Sequence, residues 1–171
     1  MSIQYRKAQR DDAQIILDYL DTISTQSDNL SFGEEGIGYT LEDEQQTIDK
    51  INESDNQVMF LAFDQEKLVS VANLSASSRV RSKHYATLGI SVLKDYWHQG
   101  IATHMMQLIE EFALKSESLE VLRLDVRSDN HIAIHLYEKF GYEKIGCFEE
   151  EMKINDVYIP IDQMRVLLKK R

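Results

Sequence analysis

A chain of 171 residues is the length of one ordinary domain and is long enough to enclose a core. Hydrophobic residues make up 43% and charged residues 28%, the balance of a folded globular protein and not of a disordered one. With 29 acidic against 19 basic residues the formal net charge is -10, which argues against a surface that tracks nucleic-acid phosphates and suits cationic partners better.

Residues 3–8 alternate apolar and polar side chains, the period of a half-buried strand. Asp11 and Asp12 offer a cap to a helix carrying Ile15, Ile16, Tyr19, Leu20 and Ile23 at helical spacing. Ser24 to Gly38 is rich in Ser, Asp, Asn and Gly and reads as a long loop. Thr40, with Asp43 and Glu44, opens a second helix through Ile48 and Ile51. Strands are expected near 58–63 and 68–77 around the turn 64–67, and a third from about 84 to 93. A helix over about 100–115 carries the stripe Ile101, Met105, Leu108, Ile109 and Phe112. A strand at 121–126, a short helix at 130–140 and two closing strands, near 142–153 and 157–168, complete the order around the turn Asn155-Asp156. Pro160 lacks an amide donor and is expected to mark a bulge or a break in the last strand. No repeat, low-complexity tract or linker divides residues 1–171, which read as a single domain.

Chemistry concentrates at Val92 to Thr103, where a strand feeds a turn and the turn delivers a helix whose first residues are small. Free amides in a first helical turn carry partial positive charge and can hold an anion, and Gly100 and Ala102 let a phosphate approach the main chain. A packed connection that happens to contain a glycine looks the same in isolation. The nucleotide-triphosphatase loop is excluded because Ile101 and Ala102 follow Gly100, and the dinucleotide fingerprint because the segment has one glycine instead of three.

Trp97 to Ala102 resembles the pyrophosphate-binding motif Gln/Arg-x-x-Gly-x-Gly/Ala of the GNAT N-acetyltransferase superfamily. Asn130, Ala133, Tyr137, Gly141 and Tyr142 match a second motif of that family, Asn-x-x-Ala-x-x-x-Tyr-x-x-x-Gly-Phe/Tyr, at the separation the family uses. The resemblance covers nearly the whole chain and implies an α/β fold with a mixed, mostly antiparallel central sheet flanked by helices. Two positions depart from the pattern: Trp97 replaces the usual Arg or Gln, and His98 a frequent Gly. Trp97 is expected to pack under the loop and His98 to face solvent.

The resemblance further implies acetyl-coenzyme A as acetyl donor, with no metal. Its pyrophosphate would lie on His98, Gln99, Gly100, Ile101, Ala102 and Thr103, and its pantetheine arm between the strands at 84–93 and 120–127, bonded to main-chain groups near Ile90 and Val92. Asn130 would reach the arm or cap its helix, both readings being open. Tyr137 would sit beside the thioester sulfur and protonate the departing thiolate, or be a core aromatic.

The acceptor must attack as a neutral amine. At pH 7 that costs a lysine-like amine roughly 4–5 kcal/mol and an α-amino group about 1 kcal/mol. Some family members place a glutamate in the preceding strand to take the proton, but Tyr85 to Ser91 contains no carboxylate, leaving a water relay or the acceptor's own low pKa. His84 is a candidate base or a surface histidine, and Glu34 and Glu35 are candidates for attracting a cationic amine or belong to a solvated loop. Tyr158-Ile159-Pro160 stands where the family often has Tyr-x-Asp, removing one carboxylate.

The expected function is acetyl transfer from acetyl-coenzyme A to a primary amine of a small molecule, peptide or protein. The expected partners are an amine-bearing acceptor and optionally a second copy of the chain, with neither nucleic acid nor membrane. The alternatives are a noncatalytic acetyl-coenzyme A-binding module acting as sensor or interaction domain, and a structural domain that uses no acyl donor. Cys147 has no internal disulfide partner, so a reducing compartment and a buried structural thiol are expected. A polar N-terminus and the absence of an apolar run of about 20 residues lead to an expected cytoplasmic location.

Overall fold

The computed structural model describes residues 2–169. Strand β1 (Ile3–Lys7) and a 3₁₀ turn (Arg10–Asp12) lead to helices α1 (Ala13–Ser24) and α2 (Leu41–Asn52). Strands β2 (Val58–Asp64), β3 (Lys67–Ala76) and β4 (Tyr85–Val92) follow, then a second 3₁₀ turn (Lys94–Tyr96) and α3 (Ile101–Lys115). β5 (Val121–Arg127), α4 (His131–Lys139), β6 (Glu143–Ile154) and β7 (Val157–Leu167) complete the order.

Among the described residues these strands form one seven-stranded sheet in the order β1-β2-β3-β4-β5-β7-β6. Every neighbouring pair is antiparallel except β4 with β5. Strand alternation assigns the helices to faces. Tyr5 stacks on His104 of α3 and Lys7 lies over Phe112, while Arg6 between them turns to Asp12 beside α1. In register with Arg6 across the sheet stand Leu61, Val71 and Ser91, and Ser91 meets Tyr19 of α1. α1 therefore covers one face and α3 the other. α4 joins α3, because its Tyr137 packs against Tyr142, which shares a cavity wall with Met106 and Ile109.

Several local expectations change form. Asp12 makes no side-chain cap on α1; its carboxylate accepts from the Gln9 amide at 2.7 Å and from both terminal nitrogens of Arg6 at 2.6 and 2.7 Å. Thr40 does cap α2, accepting from Asp43 N while the Asp43 carboxylate accepts from Thr40 N. Asn155 and Asp156 both take positive φ, as a two-residue hairpin turn between twisted strands requires. Pro160 does not break β7: the irregularity falls on β6, where Glu149 to Glu151 stand between the pairs Phe148↔Ile161 and Met152↔Ile159. A residue without N–H leaves nothing to bond there, so the partner strand bulges.

Cys147 corrects the expectation of a buried thiol. It is exposed, with its sulfur 3.7 Å from Ser128 Oγ. β6 is an edge strand and most of its side chains are exposed, so apolar neighbours in sequence do not bury Cys147.

The Arg6 pair holds the Asp12 carboxyl below its ordinary value, helped by the Gln9 amide and opposed by burial. A carboxylate with a lowered folded pKa stabilises the fold above its unfolded value, about 3.9, and loses that contribution as pH falls through the folded value. Asp12→Asn is therefore expected to cost about 1–3 kcal/mol at pH 7 in a denaturant titration. The gap to wild type should close as the titration is repeated at progressively more acidic pH.

Candidate active site

β4 and β5 pair for only three positions, Tyr85↔Val121, Ala86↔Leu122 and Thr87↔Arg123. β4 continues to Val92 against β3, and β5 to Arg127 against β7, so their facing edges diverge. The Leu93 amide bonds to Val69 O, which fixes the alternation of the β3–β4 ladder. Thr87, Gly89 and Ser91 bond toward β3, and the main-chain groups of Leu88, Ile90 and Val92 point into the opening. Ile90 and the Val92 amide thus stand on an edge that β5 does not pair, the kind of template an extended ligand can join.

At the far end of β4, Leu93 is buried and the chain turns through the 3₁₀ segment, where Tyr96 donates to Asp64 at 2.9 Å and the Gln99 side chain donates to Asp95 O at 3.0 Å. His98 and Gly100 both adopt the left-handed region, with φ of 59° and 78°. That reversal aims the first turn of α3 outward. His104 N bonds to Gly100 O, no side chain caps the helix, and the amides from Gln99 to Thr103 make no main-chain hydrogen bond among the described residues. Nothing lies within 4 Å of the Cβ that Gly100 lacks. Free amides at a helix N-terminus beside open space are the kind of group that can hold an anion, and this turn is called the anion cradle.

Trp97 does not pack under this loop. It is 40% exposed, and its indole N–H donates to Val92 O at 2.8 Å. His98 is exposed. Asn130 caps α4, its Oδ1 accepting from Ala133 N at 3.3 Å. Tyr137 is buried with its ring 6.0 Å from that of Tyr142, and desolvation pushes its hydroxyl up to about 12. The Tyr142 hydroxyl is buried and has no hydrogen-bond partner among the described residues. It borders a cavity of about 470 Å³ between the C-terminal half of α3 and the end of β7, lined by Met106, Leu122, Phe140 and Val166, away from the anion cradle.

His84 is not brought to the opening, and Glu34 and Glu35 are engaged in a local turn. His84 precedes the paired end of β4, where its carbonyl accepts from the Glu120 and Val121 amides. Glu34 and Glu35 occupy the turn 33–36, where Glu35 Oε1 accepts from Gly33 N. That bond holds the Glu35 carboxyl below its ordinary value.

On the α1 face the structure assembles groups that single residues do not reveal. Tyr19 Oη lies 2.9 Å from Ser91 Oγ, while from the other face Ser70 Oγ donates to the Ser91 main-chain carbonyl at 2.7 Å. Burial raises the Tyr19 hydroxyl. The loop after α1 is tied to both diverging strands, through Gln26 Oε1 accepting from Lys94 N and Asp28 O accepting from Arg127. Asp125 stands in the splayed stretch of β5, exposed, on the Ser91 face. Its alternation with Leu124 and Val126 was legible, but its place beside an opening was not. Among the described residues no group of three His, Cys, Asp or Glu side chains is placed to hold a metal ion, and no helix is long and apolar enough to cross a membrane.

The model of the acetyltransferase (GNAT) family matches residues 24–142, which hold α2 to α4 and the whole opening. The chain belongs to the GNAT acetyltransferase family. An acetyltransferase of GNAT family from Streptococcus pneumoniae is 31% identical and superposes with a TM-score of 0.94 over 97% of this chain and 99% of that one. An N-alpha-acetyltransferase of Saccharolobus solfataricus is 35% identical over 68 residues, a match spanning 40% of each chain. A spermidine N-acetyltransferase from Vibrio cholerae, solved with CoA and spermine, shares the fold at 20% identity and a TM-score of 0.75, covering 98% of this chain and 96% of that one.

This GNAT chain carries a left-handed histidine and a left-handed glycine in one turn, so substitutions there should have opposite signs. Gly100→Ala is expected to cost about 1–2 kcal/mol by backbone strain, because the space for a methyl is open. His98→Gly should gain up to about 1 kcal/mol by relieving the same strain. Chemical denaturation of the two variants measures both.

Proposed function

We propose that this chain transfers the acetyl group of acetyl-coenzyme A to the primary amine of a small molecule or a peptide. The observation that carries the reading is the junction of two unfilled features: the unpaired edge of β4 runs into the unpaired amides that open α3. One suits an extended amide-bearing arm and the other its pyrophosphate. Family membership and the cradle's open space support the same donor. Acetyl-coenzyme A, when bound, supplies an activated thioester carbon.

The residues then divide the work. Amides from His98 to Thr103 hold the phosphates, with Gly100 keeping the turn open. Ile90 and the Val92 amide bind the arm as an added strand. Asn130 fixes the start of α4 and so the placement of Tyr137. A phenol pushed to about 12 stays protonated throughout the neutral range, so Tyr137 holds a proton at Oη for the departing sulfur. A thiol titrates near about 8.5, and stabilising its anion lowers the barrier to C–S cleavage. As the new C–N bond forms, the amine must lose a proton. Asp125 is the carboxylate within the splayed stretches 88–92 and 124–127, and it takes that proton directly or through water. The acidic balance of the chain favours a cationic acceptor.

Calorimetry with acetyl-coenzyme A, followed by thiol release over a panel of amines, tests the reading. No affinity for acetyl-coenzyme A would overturn it, and affinity without turnover on any amine would replace the enzyme by an acetyl-coenzyme A-binding module. Tyr137→Phe keeps the ring and removes the donor, so kcat should fall about 10²–10⁴-fold with little change in donor affinity. Wild-type kcat in that variant, where chemistry limits the rate, would reduce Tyr137 to a core residue. For Asp125→Asn the loss should be largest with amines of high pKa and small with an α-amino acceptor, as the Brønsted comparison of kcat/KM would show.

A further inference from the structure

Val92 ends β4 at the point where β5 has diverged furthest, and its carbonyl points into the opening. In a continuous sheet the neighbouring strand would donate to it. Here the donor is the Trp97 indole, 2.8 Å away, and Trp97 begins the turn that forms the anion cradle. We propose that Trp97 is a positioning residue that takes the place of β5 at the last rung of β4, completing the cleft wall beside the cradle. This rests on the reading that the pantetheine arm lies along that edge.

The physical case turns on what happens to the carbonyl when the cleft fills. In the free protein Val92 is partly exposed, so water can serve its carbonyl if the indole is removed. Once an arm covers the edge, water is excluded and an unpartnered carbonyl is costly. The indole bond therefore matters little to the free fold and more to the filled cleft. Because the bond joins the loop to the strand, it also fixes the spacing between cradle and edge, which a ligand spanning both must match. A ligand reaching only the cradle is indifferent to it.

Trp97→Phe keeps an aromatic ring and deletes the N–H. The affinity for acetyl-coenzyme A, read by calorimetry, should fall about 5- to 100-fold. Adenosine diphosphate, which offers a pyrophosphate and no arm, should bind the variant and the wild type alike, and the thermal midpoint should hardly move. Trp97 is also the one tryptophan of the chain, so wild-type indole emission should change on saturation with acetyl-coenzyme A. Unchanged acetyl-coenzyme A affinity in the variant would overturn the proposal, as would equal losses for both ligands, which would signal general damage to the loop. If the variant does not fold, wild-type emission decides: no change at calorimetric saturation overturns the assignment. Wild-type protein with no affinity for acetyl-coenzyme A would instead overturn the functional reading, and this inference with it.

Discussion

The short parallel pairing of β4 and β5 is the constraint on which the rest depends. Three registered positions hold the strands together, and beyond Thr87 and Arg123 each is held only by its outer neighbour. Unpaired main-chain groups are costly when buried and harmless when wet, so the divergence is sustainable only as an open cleft. The outer ladders, β3 on one side and β7 on the other, keep the two edges apart. They leave a groove that closes at one end and opens toward α3.

The turn that ends β4 sets the chemical character of the open end. Leu93 is buried and Tyr96 is tied to Asp64, so the 3₁₀ segment is anchored to the sheet. From that anchor the chain must reverse within a few residues, and it does so through two left-handed positions, His98 and Gly100. The reversal leaves the first amides of α3 without main-chain partners among the described residues. A partial positive charge thus stands at the mouth of the groove in a protein whose net charge is -10.

Burial and local partners set which titratable groups keep their protons. Desolvation pushes the Tyr137 hydroxyl up and keeps it protonated at neutral pH. Tyr19 is raised in the same way but is tied to Ser91, beneath the opposite face of the same strand. Asp12 shows the opposite case, where a bidentate arginine outweighs burial and keeps the charge. Local partners, not residue type, decide each outcome.

The sequence by itself determined the order of elements and the family. Apolar periodicity marks α1 and α3, and the 97–102 and 130–142 motifs identify the chain, because local spacing is written in local residues. Gly100 was legible as a turn residue for the same reason, whereas Asn130 was open between cap and ligand contact until the structure showed it capping α4. Only the tertiary structure decided which groups meet. His84 starts the right strand but at its paired end, and Glu34 and Glu35 close a turn of their own. Asp125 lies in the splayed stretch of β5, Cys147 is exposed by an edge strand, and Trp97 reaches back five residues to Val92. Each of those depends on where strands part or end, and strand pairing joins residues far apart in sequence through bonds that no local pattern encodes.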